Sequence, residues 1–317
     1  MIATLTLNPS VDKSIEVDQL IPEKKMRCSE MMFEAGGGGI NISKAIAELG
    51  GQSTAIFPYG GLNGQLLLKL VSHKNIVRTP IKIKNDTREN IVITERATNK
   101  QYRFVMPGPQ LYQEEIVHLR DTVLQLRNIS YLVVSGSLPP NVPDSFLSEV
   151  ADMATASKIK LIVDTSGKTL MSVLMKGVYL IKPSLSELCF LVGKNYLEFG
   201  EVDQAVNEIL KKGLCEVIVV SMGPAGALLA TKSIRKRFPA PAVKKQSTVG
   251  AGDSMTAGIV YMLEQNKPLE EAVQFGIACG TAATMNKGTR LFKKEDAFKF
   301  YDWILSESKQ VQTETTA

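Results

Sequence analysis

The feature that most constrains the fold of this chain is a repeated alternation of short apolar strand patterns with amphipathic helix patterns. The strand-like runs are rich in β-branched residues and carry no charges, which is typical of strands buried on both faces of a parallel sheet. These runs are residues 54–57, 131–134, 161–163, 179–181 and 217–220. Because strands that alternate with helices build βαβ units, the chain is predicted to form an α/β fold with a doubly wound, mostly parallel sheet.

Two regions, residues 13–34 and 86–106, break this alternation with period-two patterns and no intervening helix. They are predicted to form a small antiparallel sheet outside the main one, which we call the β lid. A sheet this small needs a surface to cover its apolar face, so we expect it to close over an active site, to form a dimer contact, or both. Residues 1–317 are otherwise predicted to form one domain, with a frayed polar tail at 306–317.

Several polar residues directly follow the predicted strands of the main sheet. They are Ser135-Gly136-Ser137, Asp164, Lys182 and Ser221-Met222-Gly223. In an open α/β sheet, ligands bind beyond the carboxyl ends of the strands. The sequence therefore predicts a ligand site at this edge of the sheet.

The segment Gly250-Ala251-Gly252-Asp253, here called the anion loop, opens a predicted helix. Its glycines allow close approach of the backbone, and the first N–H groups of the helix together with its dipole favour an anion such as phosphate. Asp253 would repel a phosphate, so we expect it to accept the proton of an attacking hydroxyl. The alternative is that Asp253 only caps the helix. A dinucleotide fingerprint does not fit, because Met255 takes the place of the third glycine.

Residues 36–39 are four consecutive glycines that precede another predicted helix. Glycine costs backbone entropy on folding, so such a run indicates a sharp bend or close contact with a ligand. Two interpretations stay open: the backbone and Asn41 recognise hydroxyl groups, or the run is a hinge for the β lid.

The β lid also carries cations. Lys25 and Arg27 are two residues apart, so on a strand they would share one face, and Arg88 stands at the start of another lid strand. Three cations that converge would suit a second phosphate, on the acceptor; taken singly, each suits a solvent-facing position. Asp12, just beyond the first strand, is expected to accept hydrogen bonds from a sugar hydroxyl or to cap a turn.

Composition excludes several classes of function. A net charge of +5 suits small anionic ligands better than a nucleic acid, and the chain contains no apolar run long enough to span a membrane. The four cysteines show no metal-binding spacing, and no secretion signal is recognisable, so a cytoplasmic location is expected. Two histidines leave little material for a histidine-based metal site or triad.

Motifs along nearly the whole chain resemble those of the ribokinase/PfkB sugar-kinase family. They are Gly36-Gly37-Gly38-Gly39-Ile40-Asn41, Ser135-Gly136-Ser137-Leu138-Pro139, Lys182-Pro183 with Glu187, Ser221-Met222-Gly223-Pro224 with Gly226, and Ser247 to Ser254. Within the family, the chain is most similar to the phosphofructokinase subgroup. The segments that carry this similarity are Asn8 to Asp12, Arg27-Cys28, Tyr102 to Gly108, and Asn286 to Arg290.

The resemblance implies a ribokinase-like fold and ATP-dependent phosphorylation of fructose 6-phosphate at its 1-hydroxyl, with Mg²⁺ and K⁺. It implies Asp253 as the base and the amides of Gly250, Ala251 and Gly252 as the phosphoryl-binding groups. The implied sugar ligands are Asp12, Gly38, Gly39, Asn41 and Ser137, with Lys25, Arg27 and Arg88 on the 6-phosphate. The implied nucleotide residues are Lys182, Ser184, Ser221, Gly223, Gly226 and Thr248. The implied metal residues are Glu187 for Mg²⁺, and Ser247, Val249, Ala283, Asn286, Gly288 and Arg290 for K⁺.

Three alternatives remain beside this expectation. Tagatose-6-phosphate kinase and 1-phosphofructokinase belong to the same subgroup, and a non-catalytic sugar-phosphate sensor could share the fold. A sensor would be expected to have lost the base, whereas Asp253 is present. The expected partners are ATP and a phosphorylated ketohexose, with a homodimer formed through the β lid.

One departure from the family pattern concerns the metal. The Asn-x-x-Glu motif that organises Mg²⁺ and its waters reads Ser184-Leu185-Ser186-Glu187 in this chain. The carboxylate is kept and the amide is lost. A serine hydroxyl reaches less far, so we expect weaker support for the metal-bound waters.

Overall fold

A computed structural model describes residues 1–286, 288 and 291–315, with side chains described up to residue 307. The strands are β1 (Ile2–Leu5), β2 (Ser10–Val17), β3 (Met32–Gly36), β4 (Ser53–Tyr59), β5 (Ile76–Lys82), β6 (Arg88–Glu95), β7 (Lys100–Val105), β8 (Tyr131–Ser135), β9 (Lys160–Asp164), β10 (Val178–Ile181), β11 (Cys215–Ser221), β12 (Ala227–Ala230) and β13 (Arg235–Phe238). The helices are α1 (Gly38–Glu48), α2 (Gly61–Leu70), α3 (Gln113–Leu124), α4 (Ser145–Ala156), α5 (Gly167–Leu174), α6 (Leu185–Leu191), α7 (Val202–Lys211), α8 (Ala251–Glu264), α9 (Leu269–Ala283) and α10 (Lys294–Thr315).

The main sheet has the strand order β13-β12-β11-β10-β9-β8-β1-β4-β5. All neighbouring pairs from β11 to β5 are parallel, and β12 and β13 add an antiparallel edge. This arrangement confirms the predicted doubly wound, mostly parallel sheet. The chain first builds the sheet outward from β1 towards β5 and later from β8 towards β13. The topological switch point therefore lies between β1 and β8, where α/β sheets bind their ligands.

Successive side chains of each inner strand point to opposite faces of the sheet and pack into two separate hydrophobic cores. In β8, Leu132 and Val134 pack towards α3 to α7, whereas Tyr131 and Val133 pack towards α1, α8, α9 and α10. Leu132 and Val133 are fully buried. The apolar runs without charges are thus explained by burial on both faces.

The β lid is a four-stranded sheet with the order β3-β2-β6-β7. Its two outer pairings are antiparallel, as predicted, and the central pairing of β2 with β6 is parallel, with Ser10 opposite Arg88. A parallel pair needs a long crossover, and the chain supplies it as β3, α1, β4, α2 and β5. The predicted small sheet is confirmed, and the parallel register brings Asp12 beside Asn90.

One local prediction is wrong. Lys25 and Arg27 do not lie on a strand, because β2 ends at Val17 and β3 begins only at Met32. Both residues fall in the connection between these strands, after a turn at Pro22 and Glu23, where Glu23 has a left-handed φ of 59°. The predicted frayed tail at 306–317 begins within α10, which continues to Thr315. Among the described residues, no helix is both long and apolar enough to cross a membrane.

Helix α8, which carries the anion loop at its start, packs closely on α9. A Cβ atom added at Gly258 would lie 2.8 Å from Cys279 Sγ and 2.9 Å from the Cα atom of Gly276. A Cβ at Gly276 would lie 2.8 Å from the carbonyl oxygen of Met255. The two glycines therefore set the distance between the helices, and this contact fixes the position of the anion loop.

We predict that Gly258→Ala lowers the free energy of unfolding by about 1–3 kcal/mol, because the added methyl group has no space at the contact between α8 and α9. Urea unfolding measures this change. Gly200→Ala is the matched control, since a Cβ there meets no atom within 4 Å. Equal unfolding free energies for the two variants would contradict the close packing.

Candidate active site

A cavity of about 460 Å³ opens at the carboxyl ends of β8, β9 and β10, beside the topological switch point. It is lined by Gly38, Ser135, Gly136, Ser137, Asp164, Thr165, Ser166, Lys182, Ser184, Glu187, Ser221, Gly250, Gly252 and Asp253. The predicted edge of the sheet thus holds a polar cavity. It brings together residues that lie more than 200 positions apart in the sequence.

The anion loop forms the first turn of α8 beside this cavity. Gly250 is the N-cap with a left-handed φ of 73°, a conformation that favours glycine. The first intrahelical bond runs from the N–H of Ser254 to the carbonyl of Gly250 at 2.8 Å. The N–H groups that precede Ser254 have no acceptor within the helix, and among the described residues only that of Ala251 makes a long contact outside it, 3.4 Å to the carbonyl of Thr248. This turn can therefore bind an anion through its backbone.

The carboxylate of Asp253 is half-buried at the same helix end. It accepts hydrogen bonds from Asn41 Nδ2 at 2.9 Å and from Ser135 Oγ at 3.4 Å. Burial raises the pKa of Asp253 to about 6, helped by the nearby negative charge of Asp164 and opposed by Asn41, Lys182 and Ser135. A carboxylate with this pKa accepts protons better than an ordinary aspartate and is still largely ionised at neutral pH.

Behind Asp253 lies a buried ion pair. Lys182 Nζ is 3.3 Å from Asp164 Oδ1, and the two side chains are 5% and 15% exposed. Thr256 Oγ1, on the second turn of α8, donates to Asp164 Oδ2 at 2.8 Å. The pair therefore ties α8 to the ends of β9 and β10. The anion loop lies next to this cation, since a Cβ added at Gly252 would be 3.4 Å from Lys182 Nζ, an ordinary van der Waals contact.

The glycine run 36–39 is explained largely by protein packing. A Cβ at Gly38 would lie 2.0 Å from Ser135 Oγ, and a Cβ at Gly39 would lie 2.5 Å from Thr6 Oγ1. A Cβ at Gly36 would lie 2.4 Å from Asp12 Oδ2. The run lets the start of α1 approach the ends of β1 and β8 closely. That approach places Asn41 against Asp253, a contact that the glycine run alone does not predict.

Asp12 and Arg88 lie at the base of the β lid. Asp12 Oδ1 accepts from Ser10 Oγ at 2.7 Å and from Asn90 Nδ2 at 2.8 Å. Arg88 donates to the carbonyls of Met106 at 3.1 Å and Asn8 at 3.0 Å. The structure therefore brings Arg88 near the candidate sugar residues, whereas Lys25 and Arg27 are exposed in the loop before β3.

Ser184 and Glu187 form a capping box at the start of α6. The Ser184 hydroxyl donates to Glu187 Oε2 at 2.9 Å, the Ser184 N–H donates to the same oxygen at 2.8 Å, and the Glu187 N–H donates to Ser184 Oγ at 3.3 Å. The serine that departs from the family pattern thus caps a helix and orients the carboxylate. Both residues line the cavity.

The residues expected around a monovalent cation lie on two adjoining segments. Ser247 donates its N–H to the carbonyl of Thr284 at 3.2 Å and its hydroxyl to the carbonyl of Gly288 at 2.9 Å. The loop that contains Val249 therefore adjoins the end of α9 at Ala283 and the residues that follow it up to Asn286. Backbone carbonyls and a hydroxyl are suitable ligands for such a hard cation. Arg290, the last residue of this set, lies outside the described residues.

Other predicted nucleotide residues lie on loops around the cavity. Ser221 lines it, whereas Gly223 and Gly226 shape the following turn with φ values of 58° and 85°. Thr248 accepts a hydrogen bond from Arg103 of the β lid at 3.3 Å. Lys182 and Ser184 reach the cavity directly. Gly223, Gly226 and Thr248 are thus adjacent to its lining rather than part of it.

Several residues of the site have roles that the sequence alone does not indicate. Asp164 was noticed at a strand end, but its contacts with Lys182 and Thr256 depend on how α8 docks. The contacts of three further residues also depend on how distant segments dock. These residues are Ser135, Asn90 and Arg103. Polar residues at the ends of predicted strands were the available signal for Asp164 and Ser135; the roles of Asn90 and Arg103 required the register of the β lid.

Comparison with known proteins decides the family. The model of the pfkB family carbohydrate kinases matches residues 5–296. The chain belongs to this family. It is 43% identical to the ATP-dependent 6-phosphofructokinase isozyme 2 of Escherichia coli (strain K12) over 304 residues, which cover 96% of this chain and 98% of that protein. A 1-phosphofructokinase of Borreliella burgdorferi is 35% identical over 90% of this chain and 92% of that protein.

Solved structures agree with this assignment. The crystal structure of Escherichia coli phosphofructokinase-2 in complex with potassium superposes with a TM-score of 0.92 at 43% identity, covering 96% of this chain and 98% of that one. The structure of the same protein in complex with fructose-6-phosphate gives a TM-score of 0.90 at 41% identity, covering 96% and 98%. The ribokinase-like fold and the sugar-kinase resemblance are therefore confirmed.

The surroundings of Asp253 predict a pH dependence. With a pKa of about 6, the carboxylate becomes protonated as the pH falls through 6, so a reaction that needs it as a base slows there. We predict that Asp164→Asn moves this acid limb to lower pH, because the negative charge that raises the pKa of Asp253 is removed. The pH dependence of turnover between pH 5 and 8 measures the shift. An acid limb that stays in place or moves to higher pH would contradict the assigned coupling.

Proposed function

We propose that this protein is an ATP-dependent kinase that phosphorylates fructose 6-phosphate at O1 and releases fructose 1,6-bisphosphate and ADP. The observation that carries the proposal is the carboxylate of Asp253, with a pKa near 6, at the N-terminus of α8 and beside a polar cavity. The identity of 43% with a 6-phosphofructokinase over nearly the full chain supports the choice of substrate.

Each part of the site has a role in this reaction. Asp253 takes the proton from the 1-hydroxyl as that oxygen attacks the γ-phosphorus of ATP, and the bond from that phosphorus to the bridging oxygen of ADP breaks. The amides of Gly250, Ala251 and Gly252 stabilise the charge on the transferred group. Lys182 offers the nucleotide phosphates a buried cation, and Ser184, Ser221, Gly223, Gly226 and Thr248 surround the nucleotide.

Mg²⁺ fits the donor groups of this cavity. In nucleotide sites it commonly takes one or two carboxylates, with phosphate and water as its other ligands, and Glu187 and Asp164 both line the cavity. No group of three or more His, Cys, Asp or Glu residues that could hold a metal ion occurs within the described ranges. The ion would neutralise phosphate charge, with Glu187 orienting its waters.

The acceptor sugar is assigned to the space between the cavity and the β lid. Asp12, Asn41, Ser137 and the backbone at Gly38 and Gly39 would bind its hydroxyls. Arg88 would bind its 6-phosphate, and the exposed loop with Lys25 and Arg27 would complete that phosphate site on closure of the β lid. Asn41 is already held by Asp253, so an acceptor hydroxyl bound there lies next to the base.

A monovalent cation, K⁺, is proposed beside the anion loop. Ser247, Val249, Ala283, Asn286 and Gly288 would hold it, together with Arg290. The hydrogen bonds of Ser247 to the carbonyls of Thr284 and Gly288 support this assignment. By fixing the loop that leads into Gly250, the cation would hold the anion loop in its binding conformation.

The β lid is also proposed as the surface of a homodimer. Phe33, Phe104 and Val105 are 42%, 49% and 68% exposed, so its strands present apolar side chains that water would otherwise contact.

A cytoplasmic location is proposed as well. It is supported by four free cysteines, three of them buried.

Initial rates on a panel of phosphorylated sugars test the proposal. Fructose 6-phosphate is expected to give the highest kcat/KM with ATP, ahead of tagatose 6-phosphate and fructose 1-phosphate. A higher kcat/KM for either of the other two would replace the proposed substrate while keeping the reaction type. Binding of sugar phosphate without transfer in every case would favour the sensor.

The role of Asp253 gives a direct mutational prediction. Asp253→Asn is expected to lower kcat by roughly two to four orders of magnitude, because the amide cannot accept the proton, while both substrates still bind. Steady-state kinetics and calorimetric binding measure the two effects. A variant that keeps a tenth of the wild-type turnover would exclude Asp253 as the base.

The Ser184 departure predicts a change in metal requirement. Ser184→Asn is expected to lower the free Mg²⁺ needed for half-maximal rate several-fold, within the ~10–100-fold range of changes around metal ligands, since an asparagine can keep the helix cap and reaches further into the cavity. Glu187→Gln is expected to raise the requirement more strongly. The rate as a function of free Mg²⁺ at saturating ATP measures both. An unchanged requirement in Ser184→Asn, beside a shifted one in Glu187→Gln, would mean that the serine already suffices.

A further inference from the structure

Asn8 lies between the two halves of the proposed sugar site without belonging to the residues assigned there. It lies in the short connection between β1 and β2 and is only 6% exposed. Its Nδ2 donates to Ser137 Oγ at 3.1 Å and lies 3.4 Å from the carbonyl of Leu138. Its own carbonyl accepts the hydrogen bond from Arg88 Nη2 at 3.0 Å. One residue thus contacts both the proposed hydroxyl-binding serine and the proposed phosphate-binding arginine.

The segment 106–108 holds Asn8 in this place. A Cβ at Gly108 would lie 2.3 Å from Asn8 Oδ1, 2.7 Å from Cγ and 2.8 Å from Nδ2, so only glycine lets the chain pass this close to the amide. The same segment supplies the carbonyl of Met106, the second acceptor of Arg88. Asn8 and the segment 106–108 therefore form a two-sided support for the guanidinium group.

Two polar atoms beside the guanidinium group lack a hydrogen-bond partner. Asn8 Oδ1 and Arg88 Nε are both buried and have no hydrogen-bond partner within the described part of the chain. Buried polar atoms are normally paired, because each unpaired one lowers stability. An asparagine that leaves its acceptor unpaired is therefore poorly explained by stability alone, whereas a role in the geometry of the site explains it.

We propose that Asn8 is a positioning residue that fixes Arg88 relative to Ser137. The side chain anchors residue 8 to the loop after β8, and this anchor sets the carbonyl that orients Arg88. The distance between the phosphate-binding cation and the hydroxyl-binding serine is thereby fixed, which would select sugars by the position of their existing phosphate. The inference rests on the proposed function, since it assigns the phosphate of the acceptor to Arg88.

The first test compares Asn8→Ala with Asn141→Ala. Asn141 also uses its side-chain amide to tie two loops, through Leu111, but it contacts neither Arg88 nor Ser137 in the described hydrogen bonds. Asn8→Ala is expected to raise the Kd and KM for fructose 6-phosphate about three- to tenfold, the size of one or two lost hydrogen bonds. The KM for ATP and the KM for unphosphorylated fructose should change less than twofold. Asn141→Ala should change none of these constants.

The decisive test is a double-mutant cycle with Arg88→Ala. If Asn8 acts through Arg88, adding Asn8→Ala to Arg88→Ala should raise the Kd for fructose 6-phosphate by less than twofold more. Losses that multiply in the double variant, or equal losses for phosphorylated and unphosphorylated sugar, would overturn the proposal. Asn8→Asp, which keeps the shape of the side chain, replaces Asn8→Ala if that variant does not fold.

The outcome for Asn8 can be separated from the outcome for the function. Turnover of fructose 6-phosphate by the unaltered protein tests the proposed function alone. If another sugar phosphate proves to be the substrate, the same cycle is measured with that compound, and coupling between Asn8 and Arg88 still supports the positioning role. If the two substitutions raise the Kd independently in that cycle, the positioning role of Asn8 is overturned whatever the substrate.

Discussion

The hydrogen bond of 2.9 Å from Asn41 to Asp253 joins the first turns of α1 and α8 above the switch point of the sheet. Helix N-termini favour negative charge, so two of them meeting at one carboxylate create a place where an anion is stabilised by backbone dipoles. The remainder of the site depends on this junction. The glycine run brings α1 close enough, and the packing of Gly258 on α9 sets the position of α8.

Electrostatics at this junction place a base beside a cation. Asp164 raises the pKa of Asp253 while it holds Lys182, whose side chain is 5% exposed. A buried ammonium group is costly unless it is paired, and Asp164 supplies that partner to Lys182 beside the anion loop. One carboxylate therefore serves two functions: it makes Asp253 a better proton acceptor and it holds Lys182 where phosphate is expected to bind.

Sequence patterns predicted the parts of this structure that local chemistry determines. Buried strands show as uninterrupted apolar runs, and the polar residues at their ends marked the cavity. Docking of elements was not predictable in the same way: the parallel pairing of β2 with β6 and the contact of Thr256 with Asp164 join distant segments. The glycine run was interpreted through ligand contact or hinge motion, whereas Ser135 and Thr6 occupy the space beside it. Lys25 and Arg27 were misplaced because a period-two pattern cannot show that β2 ends at Val17 and β3 begins only at Met32.

The central claim is that Asp253, the anion loop and the β lid together direct a phosphoryl group from ATP to the 1-hydroxyl of a sugar that already carries a phosphate. Phosphorus NMR of the reaction of fructose 6-phosphate with ATP and Mg²⁺ tests this claim most directly. The account predicts that a second phosphate ester appears on C1 in step with the loss of the γ-phosphate of ATP. Release of inorganic phosphate without a new ester, or an ester at another carbon, would contradict it.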